Sequence, residues 1–171
     1  MALPRKLKNL NLFNDGNNYL GVVKSVTLPP LGRKMEAYRG GGMNGPVKVD
    51  LGMADDGIQF EWKTGGIDLI SLKQFGAVNA SAVALRFSGP FQQDDTDEVS
   101  TVEVVVRGRH ENIEMGEAKA GEDTEHTIKT TCTYYKLTVD GTEIIEIDLL
   151  NFIEKVNGVD MLAKQRTALG I

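Results

Sequence analysis

The chain has 171 residues, 41% of them hydrophobic and 25% charged, which is enough for one domain with its own core and excludes a disordered chain. Its 19 Lys and Arg against 24 Asp and Glu give a net charge of −5, without the basic surplus of a nucleic-acid reader, although an acidic surface lets nucleic acid slide by ungripped. No apolar run approaches the ~20 residues of a membrane span, and the opening Met1-Ala2-Leu3-Pro4-Arg5-Lys6 lacks a secretory core, so the expectation is synthesis in a cytoplasm without membrane insertion.

Lys8 to Phe13 alternates weakly, with Leu10 and Leu12 on one side, and Asn14-Asp15-Gly16-Asn17-Asn18 is a turn cluster. Tyr19 to Leu28 reads as a strand with Val22, Lys24 and Val26 on the face opposite Val23, Ser25 and Thr27. Pro29-Pro30 ends it, because proline donates nothing to a ladder. A second strand runs from Lys34 to Tyr38, and the glycines of Arg39-Gly40-Gly41-Gly42-Met43-Asn44-Gly45-Pro46 make a loop. Val47, Val49, Leu51 and Met53 then alternate with Lys48, Asp50 and Gly52. After Asp55-Asp56-Gly57, Ile58, Phe60 and Trp62 alternate with Gln59, Glu61 and Lys63. Two such runs around a turn predict a hairpin over 47–63, each strand with one buried and one wet face.

Gly65-Gly66 breaks the pattern. Asp68 is placed to cap a helix through Phe75, with Ile67 and Leu72 at staple positions and Leu69, Leu72 and Phe75 toward the core. Ala84–Phe87 and Ser100–Arg109 read as strands, Phe91–Glu98 as an acidic loop and Glu111–Glu125 as an exposed one. Tyr134 to Val139 runs into Asp140-Gly141 and returns as Thr142 to Asp148, a hairpin signal because both turn residues must reach φ > 0. Asp160 is placed to cap a short terminal helix carrying Leu162, Ala163, Arg166 and Leu169, stopped by Gly170. The expectation is a single domain over 1–171 with an extended N-terminal arm. It is mainly β, sandwich- or barrel-like, with one flanking helix and a short C-terminal one.

No residue set announces chemistry. Cys132 stands alone inside a strand and reads as a small buried hydrophobe. His110 and His126 lack metal-ligand spacing, Arg39-Gly40-Gly41-Gly42 lacks the Lys-Ser/Thr ending of a phosphate loop, and the carboxylates of 94–98 and 122–123 lack a calcium-loop pattern. Ser71, Ser81, Ser88 and Ser100 carry no nucleophile-elbow signature. The reading is no enzyme, no metal and no cofactor.

Several stretches in a fixed order carry a resemblance: Met1-Ala2-Leu3-Pro4-Arg5-Lys6-Leu7, Ser25-Val26-Thr27-Leu28-Pro29, Tyr38-Arg39-Gly40-Gly41-Gly42-Met43-Asn44-Gly45 and Val49-Asp50-Leu51-Gly52. Val106-Arg107-Gly108-Arg109, Gly121-Glu122-Asp123-Thr124-Glu125, Cys132-Thr133-Tyr134-Tyr135, Val139-Asp140-Gly141 and Glu146-Ile147-Asp148 follow. The most specific is Glu154-Lys155-Val156-Asn157-Gly158-Val159-Asp160. Over nearly its whole length the chain resembles the major tail tube proteins of contractile-tailed bacteriophages and the related tubes of R-type bacteriocins.

That resemblance implies a virion protein, assembled in the bacterial host cytoplasm, whose hexameric rings stack into the inner tube of a contractile tail. The implied partners are other copies, the sheath protein, the baseplate hub and tail terminator proteins, and tape measure protein and DNA passing through the lumen. Closing a ring pairs sheet edges that would otherwise invite aggregation. Lys48, Asp50, Gln59, Glu61 and Lys63 are then expected toward the lumen or a subunit contact, with Val49, Leu51, Phe60 and Trp62 packed inward. The lumen wall is expected to be neutral or negative. Ring stacking is expected from protruding pieces. These are the arm with Arg5, Lys6, Leu10 and Leu12, the loop with Arg39, Gly40, Gly41, Gly42 and Met43, and the tip at Asp55 and Asp56. The alternatives are a tail-like bacteriocin tube conducting ions and a monomeric β-sandwich binding module.

Overall fold

Two long strands organise the computed structural model, which describes residues 1–171: β9 (Val99–Glu114) and β10 (His126–Val139), antiparallel along their length. On its other edge β10 changes partner. His126 to Cys132 pair with β7 (Ile58–Thr64), and Tyr134 to Val139 pair with β11 (Thr142–Asp148). Register shifts at Lys129/Thr130 and Cys132/Tyr134 mark the bend, as bulges do where a sheet turns a corner. Gly108 sits there because a Cβ would lie 2.0 Å from the Thr131 carbonyl oxygen.

The sheet therefore splits into two leaves. The first adds β4 (Val23–Thr27) to β7. In the second, β8 (Val83–Gln92) pairs β9 and carries β1 (Lys6–Leu7) and β2 (Asn11–Asn14), the latter hairpinned to β3 (Asn17–Asn18). At its far side β11 is followed by β12 (Ile153–Val156) and β13 (Val159–Asp160). Ile58, Phe60 and Trp62 from the first leaf meet Leu12, Leu85, Phe87, Val104, Val106, Tyr135 and Ile147 from the second in one core. The fold is mainly β, as expected, and Cys132 is a buried core residue whose thiol burial pushes up to about 12.

The turn chemistry holds at the Asp140-Gly141 and Asp15-Gly16 hairpins. Asp140 and Gly141 take φ of 51° and 80°, and Asp15 and Gly16 take 51° and 83°, the left-handed pair a two-residue hairpin demands. Gly170 ends α2 (Ala163–Leu169) at φ 78°. Asp160 serves that helix differently from expectation: it accepts from Leu162 N and pairs with Arg166, while the N-cap itself is Leu162.

Other expectations are corrected. No 47–63 hairpin exists. β6 (Val47–Met53) pairs with β5 (Arg33–Tyr38) in a separate two-stranded ribbon, and β7 belongs to the main sheet. The strand expected from Tyr19 starts at Val23, because Tyr19–Val22 is a turn closed by bonds from Val22 N and Val23 N to Tyr19 O. A register shift between Val23 and Ser25 puts Val23 and Val26 both against the core, against simple alternation. The strands expected at 84–87 and 100–109 extend to Val83–Gln92 and Val99–Glu114, which shortens the loops beside them.

The helix α1 (Leu69–Gln74) is capped by Asp68, whose carboxylate accepts from Ile70 N, as expected. Its expected facing is overturned. Ser71 is buried and Gln74 bonds inward, whereas Leu69 and Phe75 are 58% and 62% exposed; Leu72 is half-buried, Ile70 packs against the core, and Ile67 is 63% exposed. The interior presents polar partners at this point, so the polar side of the helix is the one that fits it. Asn14 and Gln74 exchange side-chain amide bonds of 2.9 and 2.7 Å. Asp68 accepts from the hydroxyls of Tyr19 and Ser71. His110 lies between Gln74 and Thr130, at 2.9 Å from each.

Candidate assembly surfaces

The ribbon is the least partnered part of the subunit. Cross-strand partners share a face, so Glu36 opposite Val49 and Tyr38 opposite Val47 lie on one side. Met35 opposite Asp50 and Ala37 opposite Lys48 lie on the other. Apart from Glu36 and, at the ribbon base, Lys34, the first side is apolar, and it is uncovered: Tyr38, Val47, Val49 and Leu51 are 62%, 56%, 43% and 53% exposed. The expectation that Val49 and Leu51 pack inward therefore fails within the subunit, while Phe60 and Trp62 are fully buried as expected. A two-stranded ribbon is marginal alone in water.

Its base is anchored. Arg33 pairs with the buried Glu154 of β12 and lies 3.5 Å from Asp50, and the Glu154 hydrogen bond raises the pKa of its guanidinium. A cleft of about 530 Å³ opens there, with Arg33, Leu51, Met53, Leu149, Phe152 and Leu162 in its walls. At the far end the loop from Arg39 folds on itself. Arg39 Nε donates to Met43 O at 3.2 Å, Met43 N donates to Gly40 O, and Gly42 has φ 82°.

The structure does not bring the five expected wall residues together. Gln59, Glu61 and Lys63 lie on the wet face of β7, whereas Lys48 and Asp50 lie on the ribbon. Opposite the β7 trio stand Thr131, Lys129 and Thr127 of β10, with Asn112 and Glu114 of β9 beyond. Glu125 bonds both Lys63, at 3.1 Å, and Lys24, at 3.0 Å. Both lysines lower the Glu125 pKa. With Arg109 across from Thr131, this face mixes Lys and Arg with Glu.

The N-terminal segment is only partly an arm. Lys6 and Leu7 pair with β8, Arg5 lies 3.7 Å from Glu98, and Leu3 N donates to Asp95 at 3.0 Å. Leu12 is fully buried and Leu10 packs against the core, so neither belongs to a protruding element. Asp55 and Asp56 sit in an exposed turn closed by Gly57 N to Ala54 O, with Asp55 3.0 Å from Lys34. Sequence reasoning missed α1 as a surface. The signal was present in Leu69, Leu72 and Phe75, but periodicity cannot say which side of a helix faces the core.

A family model described as phage tail tube protein FII matches residues 4–170. The chain is 54% identical over 172 residues to the tail tube protein of Escherichia phage P2, covering 100% of both. It is 44% identical over 161 residues to the major tail tube protein of Serratia phage KSP20, covering 94% of this chain and 92% of the relative. A 22-residue stretch, 13% of this chain and 100% of the other sequence, is 82% identical to the bacteriocin serracin-P 23 kDa subunit of Serratia plymuthica.

Proposed function

The chain belongs to the phage tail tube protein FII family, a structural component of the virion and not an enzyme, and from that premise we propose that its hexameric rings stack into the inner tube of a contractile tail. DNA leaves through that tube, past tape measure protein. Sheath surrounds it, and baseplate hub and terminator proteins close its ends, all assembled in the host cytoplasm. The ribbon carries this reading. Its apolar face, with Val47, Val49 and Leu51 about half exposed, has no second layer in the subunit. Burying apolar area stabilises by ~25 cal/mol per Å², so a neighbour that covers this face gains what the subunit forgoes. A head-to-tail contact that closes makes a ring, and an axial one that does not close makes a filament.

Gln59, Glu61 and Lys63, with Lys129 opposite, form the wall facing the cargo. Each unpaired Lys or Arg adds salt-sensitive grip on phosphate. Here Lys63 is engaged by Glu125 and Lys129 stands across from Glu61, and screening confines the remaining field to about 8 Å at physiological salt. Lys48 and Asp50 lie on the side of the ribbon away from its apolar face and take no part in this wall. The ribbon tip at Arg39–Gly45 and the exposed residues 1–5 make the ring-to-ring contacts, with Asp55 and Asp56 at the ribbon base.

Electron microscopy of the purified chain at rising concentration tests this, with tubes expected. Replacing residues 35–51 by a short flexible link leaves the core intact and is expected to give a folded monomer that makes no tube. A chain that stays monomeric at every concentration, alone and with its tail partners, overturns the proposal. The short match to serracin-P favours a second reading, the ion-conducting tube of a tail-like bacteriocin. Adjacent genes for capsid and DNA packaging decide for the phage.

A further inference from the structure

The chain carries two uncovered apolar surfaces of different shape, and a head-to-tail contact joins two different patches of the same chain. One is the ribbon face. The other is the outer side of α1 with the segments flanking it, where Ile67, Leu69, Phe75 and Val78 are 63%, 58%, 62% and 89% exposed. The inner side of α1 is satisfied by the buried bonds of Asp68, Ser71 and Gln74, so the helix cannot turn its apolar side inward without stranding those groups. An apolar patch of this kind marks a contact.

Glu36 on the ribbon face and Lys73 on the outer side of α1 each have no ion pair inside the subunit, and the two are opposite in sign. Glu36 stands across from Val49 on the apolar face of the ribbon. Lys73 is exposed four residues after Leu69, one turn along the outer side of α1. We propose, resting on the tube reading above, that the ribbon of one copy lies across α1 of a second copy, with Glu36 of one facing Lys73 of the other. Val47, Val49 and Leu51 then cover Leu69 and Phe75.

Charge exchange tests this. Glu36→Lys and Lys73→Glu are each expected to raise the concentration needed for tube formation about tenfold, read by sedimentation and electron microscopy. The combined Glu36→Lys/Lys73→Glu chain is expected to return close to the parent value. Both positions are exposed, so the denaturant midpoint of the monomer should not move, and folding defects are thereby separated from assembly defects. Loss in both single variants without recovery in the combined one overturns the pairing, as does normal assembly of either single variant. In both cases parent tubes keep the tube reading intact. A parent chain that makes no tube overturns that reading and this inference with it.

Discussion

β6 and β7 are both seven residues long and both alternate apolar with polar, yet they meet opposite fates. Ile58, Phe60 and Trp62 of β7 are completely buried, while Val47, Val49 and Leu51 of β6 are about half exposed. Alternation states which face of a strand is apolar and leaves open what covers it. For β7 the cover is the second leaf of the same chain. For β6 no element of the chain supplies it, and in the proposed tube another molecule does.

The comparison breaks most visibly on truncation. Phe60→Ala removes a fully buried ring and is expected to cost about 3–5 kcal/mol, read as the shift in the denaturant midpoint. Val49→Ser removes as conspicuous an apolar residue from an equally regular pattern. It is expected to change monomer stability by no more than about 0.5 kcal/mol while abolishing tubes. Equal destabilisation of the monomer by both would mean that the ribbon face is covered within the chain after all.

The polar interior beneath α1 contrasts with its apolar exterior in a way that pH exposes. Burial holds His110 down to about 4 from the ordinary 6.5, against a smaller upward pull from Asp68. Asn14 Nδ2 already donates to Gln74 Oε1, so that oxygen accepts from His110 Nε2–H, and the Nδ1 lone pair accepts from Thr130. The ring is therefore neutral in the fold. The unfolded chain takes up the proton first, so the stabilisation is complete above about pH 6.5 and fades as pH falls toward 4. About 2–3 kcal/mol is expected to disappear across that window, beyond whatever the carboxylates lose. His110→Gln should flatten that part of the profile. An unchanged slope would place the proton elsewhere.

Asp68→Ala is a smaller perturbation of the same region, expected to cost about 2 kcal/mol by removing the cap and leaving the Tyr19 and Ser71 hydroxyls without their acceptor. The cap was legible, since Asp68 ahead of an apolar run after Gly65-Gly66 reads only one way. So was Asp140-Gly141, whose backbone requirement is local. The pairing partners of β6 and β7 were not legible. The Asp55-Asp56-Gly57 turn reverses the chain identically whether the strands beside it share a sheet or part company. The splitting of the sheet at β10 hinges on Gly108 meeting Thr131, a contact between residues far apart in sequence that no local pattern announces. The inward side of α1 was misjudged because the polar partners waiting for it, Asn14 and His110, come from distant strands.

The wet face of β7 gives the smallest expected effect and the most discriminating one. Glu61 has no ion pair among the charges around it, Gln59 beside it is partly buried, and Lys63 is engaged by the partly buried Glu125. Exposed pairs contribute little to folding, so Glu61→Gln and Glu125→Gln should leave the unfolding midpoint where it is. Their effect on assembly separates the two roles proposed for this face. A lumen wall touches only cargo, so tubes should form at the parent concentration and differ only in how firmly polyanions adhere inside. A subunit contact would instead register the change as Val49→Ser does, by loss of tubes. The same two strands that began as look-alikes would then both be interfaces, and the lumen would have to be lined by the outward face of the second leaf.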